Sequence, residues 1–381
     1  MSTDFVRRLP DGEMPSASKP SIWKRIHIDP ILLCMIYLIL GVGLFVLYSA
    51  SEYSLYYVQR QVVFAGIGSI AMIVVAQFSS DFMRRWVWPA YFCGILLLVA
   101  VLLFGSGANG AQRWIDLGFI SFQPSELIKL TLPICVGACL CEGPFPPHFR
   151  KIVMTLALIS VPMLLVLRQP DLGTALLVAS SGFVVIFLAG IRWRYIVSGV
   201  VVVVLSAPVI WLFFLEDYQR QRVITMFNPE ADKLGAGWNI IQSKTAIGSG
   251  GWSGKGWLDG TQSHLAFLPE SHTDFIIAVL AEELGMRGVL LVLLMYLLLA
   301  ARGFWISAKA STAFGRMLAG AITFSLFVYV FVNMGMVSGI LPVVGVPLPL
   351  ISYGGTSLVS LFIGFGILMS ISTEQEKLLQ A

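Results

Sequence analysis

The chain has 381 residues, of which 57% are hydrophobic and only 12% are charged, and its mean hydropathy is +0.83. A soluble domain carries about 25% charged residues, so this composition excludes an ordinary soluble protein and indicates a multi-pass membrane protein. The net charge of +4 is modest, and no nucleic-acid partner is expected.

Ten apolar stretches are long enough to cross a bilayer, and they predict an all-α polytopic fold because lipid does not tolerate unpaired backbone groups. The expected spans lie at roughly 30–48, 60–78, 86–104, 125–141, 152–167, 173–190, 194–215, 275–300, 316–335 and 354–371. They make one transmembrane domain over residues 30–371, between tails at 1–29 and 372–381. The first stretch is too long to be the apolar core of a cleavable signal peptide.

The distribution of Lys and Arg predicts the orientation of these spans. With the N-terminus inside, most cations fall on the cytoplasmic side, and the short outer loops keep only Arg60, Arg113 and Arg168. Both tails are therefore expected in the cytoplasm. The longest loop, 216–274, is expected on the outer, periplasmic face.

Two short outer segments carry ionisable residues next to a span. The first contains Arg113 and Trp114 and continues to Glu126 and Lys129, which stand three apart in a predicted helix. That spacing allows an ion pair, which is either purely structural or also contacts an anionic substrate. In the second segment, Arg168 and Asp171 are close enough in sequence to close a tight turn.

The long loop 216–274 combines cations, including Arg222, Lys244 and Lys255, with several Trp and Tyr residues. Loops of this length are usually functional. Its glycine-rich part, 248–256, matches neither a P-loop nor a dinucleotide-binding fingerprint, so nucleotide binding is not expected. We expect this part to be flexible.

At the end of this loop, a polar run containing Ser271, His272 and Asp274 meets an apolar run that begins at Phe275. Ser271 and Asp274 fit a capping box at a helix start. Asp274 is equally well placed to act as a general base where water meets membrane. Glu282 and Glu283 follow about 12 Å deeper.

Glu283 and Arg287 are four residues apart, as in a structural helix pair. The proline-rich segment 336–353 and the residues up to Ser357 should be a non-helical periplasmic piece that walls the same site as Asp274. Four polar clusters, 110–129, 168–174, 216–274 and 339–357, thus converge on one face.

These clusters closely resemble the motifs of the SEDS family (shape, elongation, division and sporulation), most clearly in 268–285, LPESHTDFIIAVLAEELG. The resemblance covers nearly the whole membrane region. The stretches GKGW at 254–257, GTQS at 260–263 and LPVVGVPLP at 341–349 resemble the elongation branch of the family more than its division branch.

The resemblance implies a peptidoglycan glycosyltransferase that polymerises lipid II into glycan strands, inverting to a β-1,4 bond, for cell-wall elongation and rod shape. It also implies a location in the bacterial cytoplasmic (inner) membrane, with the active site on the periplasmic face. A further implication is a partner, a class B penicillin-binding protein of the PBP2 type, within the elongation complex. The family's essential aspartate corresponds to Asp274, its important Glu and Lys to Glu126 and Lys129, and its outer-turn aspartate to Asp171.

The chemistry needs one base for the acceptor hydroxyl and positive charge for the departing pyrophosphate. Asp274 is the expected base. The charge would come from protein cations or from a divalent ion, Mg²⁺ or Mn²⁺. The expected substrate-binding residues are Arg60, Arg113, Trp114, Glu126, Lys129, Asp171, Lys244, Lys255 and His272.

Two other classes of protein fit ten spans and intramembrane charges. One is a lipid II flippase or other transporter, although the polar groups cluster on one face and not at the midplane. The other is a non-catalytic membrane scaffold for wall enzymes, which has no need of an ionisable Asp274. Only the enzyme would make glycan polymer from lipid II in detergent, where there is no bilayer to cross.

Overall fold

The computed structural model describes Trp23 and residues 26–105, 113–116, 121–231, 235–261 and 270–378. Twelve α-helices of more than one turn lie in these ranges, beside a two-stranded hairpin (β1, Ile115–Asp116; β2, Ser121–Phe122). The helices are α1 Pro30–Ala50, α2 Leu55–Ala76, α3 Ser80–Phe104, α4 Pro124–Cys141, α5 Phe149–Leu167, α6 Leu172–Leu188, α7 Trp193–Val209, α8 Asp217–Phe227, α9 Ala236–Gly250, α10 Ile276–Lys309, α11 Ala313–Val337 and α12 Gly355–Leu378. Each of the ten predicted spans coincides with one of them.

The all-α polytopic fold predicted from the sequence is confirmed. Nine helices within the described residues have the length and hydropathy to cross a membrane. The tenth predicted span, α6, is an apolar helix of 17 residues. The largest error in the predicted boundaries is at α10, which continues to Lys309 and contains a break at Gly285.

Polar side chains cap the starts of several helices. The Asp29 carboxylate accepts hydrogen bonds from the N–H groups of Ile31 and Leu32, and Pro30 occupies the first turn of α1. Asp171 caps α6 in the same way, through the N–H of Thr174 at 3.1 Å. Donors without helical partners are therefore satisfied at both starts.

The bundle is held by close helix contacts at small residues. Helix α12 packs along α2, where Gly366 lies against the Met72 backbone and Gly68 lies against the Phe362 ring. Helix α4 is the most enclosed span: most of its side chains are buried among α3, α5, α6 and α11. In contrast, no residue of α7 is buried, so α7 lies on the outside of the bundle.

The long loop is more ordered than its composition suggested. It contains helices α8 and α9, and 248–250, predicted to be flexible, form the last residues of α9. The prediction for the remaining glycines was wrong as well. The residues after Gly250 pack into the break of α10, because a glycine backbone can approach another backbone more closely than any other residue can.

Candidate functional site

A polar cavity of about 360 Å³ lies at the end of the bundle where α4 and α6 begin and α11 ends. Its wall combines the hairpin, the starts of α4, α6 and α12, the turn before α10, and the proline-rich segment. Six predicted site residues line it: Arg113, Trp114, Glu126, Lys129, Asp171 and Asp274. The cavity thus joins predicted site residues that are up to 161 positions apart in sequence.

Asp274 is held from its backbone side by a buried amide. Asn333 of α11 is fully buried, and its Nδ2 donates to the carbonyl oxygens of Asp274 (2.8 Å) and Val346 (2.7 Å). The same amide therefore ties the turn that carries Asp274 to the proline-rich segment. On the opposite side, a Cβ added to Gly345 would lie 3.2 Å from Asp274 Oδ2, which puts the carboxylate against this wall.

The capping-box interpretation of Ser271 and Asp274 was wrong. Helix α10 starts at Ile276, its N-cap is Phe275, and no side chain caps it. The Ser271 hydroxyl donates instead to the carbonyl of Ala50 at the end of α1 (3.0 Å). Asp274 lies in a turn before the helix, with its side chain at the cavity wall, and the carboxylate is available for chemistry.

The proline-rich segment walls the cavity, as predicted, and is fixed from α2. The buried Gln61 side chain donates from Nε2 to the carbonyl of Ser352 (3.0 Å), and its Oε1 accepts from the N–H of Gly354 (3.3 Å). The Ser352 hydroxyl accepts from the N–H of Leu348 (2.8 Å). These bonds satisfy non-helical backbone that lies against the membrane domain.

Asp171 pairs with the hairpin and not with its neighbour in sequence. Arg113 Nε lies 3.3 Å from Asp171 Oδ2, and a guanidinium N–H of Arg113 donates to the carbonyl of Pro170 at 2.9 Å. The Thr174 hydroxyl also donates to Asp171 (2.8 Å). The suggestion that Arg168 closes this turn with Asp171 is not supported, since Arg168 is exposed and Asp171 has these other partners.

The predicted pair of Glu126 and Lys129 is formed. Lys129 Nζ lies 2.5 Å from Glu126 Oε1, and both side chains are about nine-tenths buried. The Ser360 hydroxyl of α12 donates to the other carboxylate oxygen at 2.7 Å. The Lys129 ammonium also lies 5.0 Å from the centre of the Tyr329 ring, a cation–π distance. The pair therefore lies among side chains of three helices, α4, α11 and α12, and both of its members line the cavity.

The electrostatics of the cavity suit a proton acceptor. The pKa of Asp274 is raised to about 7, mainly because burial disfavours its charged form. The Glu270 and Asp171 carboxylates add to the rise, whereas Arg113 and Arg222 oppose it. A base works best when its pKa is near the working pH, and the pKa of this carboxyl lies close to neutral pH.

Four predicted substrate-binding residues lie outside the cavity. Arg60 donates to the Tyr56 hydroxyl (3.0 Å), and the His272 ring packs on Tyr57 behind the wall formed by Tyr353. Lys244 lies against Gly339 at the end of α11, and Lys255 is paired with Glu282 at 2.6 Å. The predicted cations thus divide into a set in the cavity and a set that holds the surrounding structure.

Several residues that line the cavity or support its wall and charges were not identified from the sequence. Tyr329 and Asn333 are single polar residues in an apolar span, Ser360 is a hydroxyl in another, and Glu270 and Arg222 were only parts of longer polar runs. A polar residue within a predicted span was the available signal for the first three. The position of Arg222 depends on the fold of the long loop, which no local pattern specifies.

The described residues offer no metal site of their own. Within them, no group of three or more His, Cys, Asp and Glu side chains is arranged to hold a metal ion. Two of the acids in the cavity are already engaged, Asp171 with Arg113 and Glu126 with Lys129.

The sequence profile of a family described as cell cycle protein, FTSW_RODA_SPOVE, matches residues 30–377. The chain is 51% identical over 361 residues to the peptidoglycan glycosyltransferase MrdB of Escherichia coli strain K12, covering 95% of this chain and 98% of that protein. It is 36% identical over 368 residues to the stage V sporulation protein E of Bacillus subtilis strain 168, covering 92% and 98%.

Solved structures agree with these matches. A chain of a peptidoglycan synthase complex, described as coordinating polymerization and crosslinking, is similar with a TM-score of 0.81 at 32% identity over 91% of this chain and 98% of that one. The rod shape determining protein RodA of Thermus thermophilus is similar with a TM-score of 0.69 at 29% identity, covering 91% and 97%.

Proposed function

This chain belongs to the FtsW, RodA and SpoVE family and is a peptidoglycan glycosyltransferase, and we propose that it polymerises lipid II in the cavity around Asp274. One observation carries the proposal. Of the four acids that line the polar cavity, Asp274 has a pKa of about 7, Asp171 and Glu126 are paired with cations, and Glu270 accepts a hydrogen bond from the Thr273 hydroxyl. Such an arrangement leaves one group to move a proton and supplies positive charge beside it.

In the proposed reaction, Asp274 accepts the proton of the acceptor sugar's 4-hydroxyl as its oxygen attacks the anomeric carbon of the donor. The bond from that carbon to the pyrophosphate oxygen breaks, and its electron pair leaves with undecaprenyl pyrophosphate. Attack opposite the leaving group converts the α-linked donor into a β-1,4 product. Deprotonation in the transition state by a positioned base typically contributes about 10²–10⁴-fold.

The leaving pyrophosphate needs cations that are already in place. Arg113 and Lys129 line the cavity, and the charge of Arg222 acts on Asp274. Fixed positive groups of this kind stabilise developing negative charge without reorganising water. Asp171 holds Arg113 in place, and Glu126 holds Lys129 in place. Trp114 adds an aromatic side chain to the cavity lining.

The site is proposed to lie on the periplasmic face of the cytoplasmic membrane. The cavity lies at the end of the bundle opposite Arg84, Arg150 and Arg192, which stand where α3, α5 and α7 begin. Cations collect on the cytoplasmic side of membrane proteins. Lipid II would therefore meet the enzyme after it has been moved to the outer leaflet.

The experiment that tests the base is polymerisation of lipid II by the purified Asp274→Asn protein in detergent. Asn keeps the size of the side chain but does not accept the proton, so we expect a loss of about 10²-fold or more in rate. Asp217→Asn is the control, because Asp217 is a fully exposed acid on the same side of the molecule and outside the cavity. A folded Asp274→Asn protein with a near wild-type rate contradicts the assignment.

The proposed partner is a class B penicillin-binding protein, a transpeptidase of the elongation complex. It is supported by the family and by the similarity to a chain of a complex that coordinates polymerization and crosslinking. Such a partner should co-purify with this chain and raise its polymerisation rate at saturating lipid II. Equal rates with and without the partner would argue against activation.

A further inference from the structure

Helix α10 is broken at Gly285, and a segment of the periplasmic loop fills the break. The backbone angles of Gly285 (φ 68°, ψ −167°) are outside the helical region, so helical N–H and C=O groups beside it lose their partners. Residues 251–256 replace those partners through four backbone hydrogen bonds. The bonds are Lys255 N–H to Glu282 O (3.0 Å), Gly256 N–H to Glu283 O (3.0 Å), Met286 N–H to Gly251 O (3.0 Å) and Arg287 N–H to Trp252 O (3.3 Å).

The contact is between backbones with no space for side chains. A Cβ on Gly250 would lie 2.0 Å from the carbonyl oxygen of Ala281, and one on Gly254 would lie 2.1 Å from that of Glu283. A Cβ on Gly285 would lie 2.3 Å from the backbone nitrogen of Gly254. Gly250 and Gly254 of the loop and Gly285 of α10 therefore form this backbone contact, which we call the joint between the loop and α10.

An ion pair between side chains of the loop and of α10 also stabilises the joint. Lys255 Nζ lies 2.6 Å from Glu282 Oε1 and 2.7 Å from the Thr261 hydroxyl oxygen, and the Thr261 N–H donates to the same Glu282 oxygen at 2.9 Å. The Glu282 side chain is 0% exposed and that of Lys255 is 27% exposed. Lys255 was predicted to bind substrate, but its charge is committed to a buried acid of α10.

We propose that Lys255 and Glu282 are positioning residues for Asp274. Their ion pair fixes the loop in the break and so fixes the short helical piece 276–284, which starts directly after the turn that carries Asp274. The inference rests on the proposed role of Asp274 as the base. The piece is rigid and closely packed, since residues 275–281 are all buried, so a tilt at Glu282 is transmitted over the roughly 12 Å to Asp274.

The molecule contains a matched ion pair that can serve as the control. Arg302, further along the same helix, pairs with Asp29 at 2.6 Å, with side-chain exposures of 25% and 2%. The N–O distance and the burial thus match those of Lys255 and Glu282 closely. This pair lies at the opposite end of the bundle, where Ser372 also donates to Asp29 (3.1 Å), far from the cavity.

The test compares two double variants of the full chain, Lys255→Met with Glu282→Gln and Arg302→Met with Asp29→Asn. Neither leaves a buried charge unpaired, the Glu282→Gln side chain keeps an acceptor for the Thr261 N–H, and Asn caps helices as well as Asp does. The assays are melting temperature and the kcat, KM and pH–rate profile of lipid II polymerisation. The groups that face Asp274, namely Glu270, Arg113, Asp171 and Arg222, are unchanged in both variants.

For the Lys255 and Glu282 variant we expect kcat to fall about tenfold or more with KM within about twofold, because a displaced base misses the attack geometry. We also expect the acid limb of the profile to move down by about half a pH unit or more, as Asp274 becomes better hydrated. For the Arg302 and Asp29 variant we expect a similar change in melting temperature, with kcat and the acid limb as in the wild type.

Two results overturn the inference: a wild-type kcat and acid limb in the Lys255 and Glu282 variant, or equal losses in the Arg302 and Asp29 variant. If the first double variant does not fold, Glu282→Gln alone decides, because the remaining Lys255 side chain is 27% exposed to water and keeps its contact with the Thr261 hydroxyl. Asp274→Asn is assayed alongside. Polymerisation by that protein refutes the base itself, whereas an inactive Asp274→Asn with normal Lys255 and Glu282 variants refutes only the positioning role.

Discussion

The carboxyl of Asp274 should control how the enzyme responds to pH. Because its pKa is raised to about 7, the group is protonated below that pH and is unable to accept the proton of a sugar hydroxyl. The rate, as kcat/KM, should therefore increase with pH through a midpoint near 7, and fall about tenfold per pH unit below it. Initial rates of lipid II polymerisation between pH 5 and 9 measure this midpoint.

One further variant separates Asp274 from another titrating group. His272 is nearby, but burial lowers its pKa, so it is already neutral at the expected midpoint. His272→Gln should therefore leave the midpoint in place. A midpoint near 4, the ordinary value for an aspartate, would mean that Asp274 is hydrated in the working enzyme or is not the base.

Asn333 should matter to catalysis although its side chain does not face the cavity. Its amide joins the carbonyls of Asp274 and Val346, and Asn333→Asp keeps the shape but turns a donor into an acceptor. Two carbonyls then lose their donor, at a cost of about 1–3 kcal/mol in stability. We expect a lower melting temperature and a kcat reduced about tenfold, measured against Asn228→Asp, an exposed amide. If the melting temperature and kcat of Asn333→Asp both equal those of the wild type, the turn holds Asp274 in place without this amide.

At the scale of elements, the joint between the loop and α10 should tolerate no added methyl group. Gly254→Ala puts a Cβ 2.1 Å from the Glu283 carbonyl oxygen at a residue with φ of +79°, so both sterics and backbone conformation oppose it. We expect a loss of more than about 1 kcal/mol in stability, seen in thermal unfolding, together with reduced polymerisation.

Gly248→Ala is the matched substitution for this test. Gly248 lies six residues earlier, within α9, and a Cβ there meets nothing within 4 Å. Alanine is about 1 kcal/mol better than glycine inside a helix, so this protein should be as stable as the wild type or more so. Equal melting temperatures for the two variants would mean that the loop does not remain in the break of α10.

The helices and their contacts also show which structural features can be predicted from a sequence. Apolar runs of about 20 residues identify spans, and a spacing of three on a helix identifies the pair of Glu126 and Lys129. The break at Gly285 has no such signature, because a glycine inside an apolar run is common in membrane helices. The pairs of Arg113 with Asp171 and of Lys255 with Glu282 join segments 58 and 27 residues apart, so they depend on the tertiary fold.

For the whole molecule, the two ends of the bundle differ in a way that fits an enzyme better than a transporter. One end holds the polar cavity. At the other end, Arg302 and Ser372 meet Asp29, and both carboxylate oxygens of Glu374 accept bonds from Ser80 at 2.6 Å. These contacts join α1, α3, α10 and α12, and a path through the bundle would require them to separate. A site on one face needs no such movement.

The orientation of those two ends in the membrane can be tested by labelling single cysteines. Exposed residues Thr245, on α9, and Arg150, at the start of α5, lie on opposite sides of the membrane if the cations mark the cytoplasm. In intact cells whose outer membrane has been opened, a membrane-impermeant maleimide should label Thr245→Cys. It should label Arg150→Cys only after the inner membrane is permeabilised. The unsubstituted chain, whose five native cysteines lie in or at the ends of spans, gives the background. The reverse pattern would put the cavity in the cytoplasm, where Asp274 would face lipid II before it has been moved across the membrane.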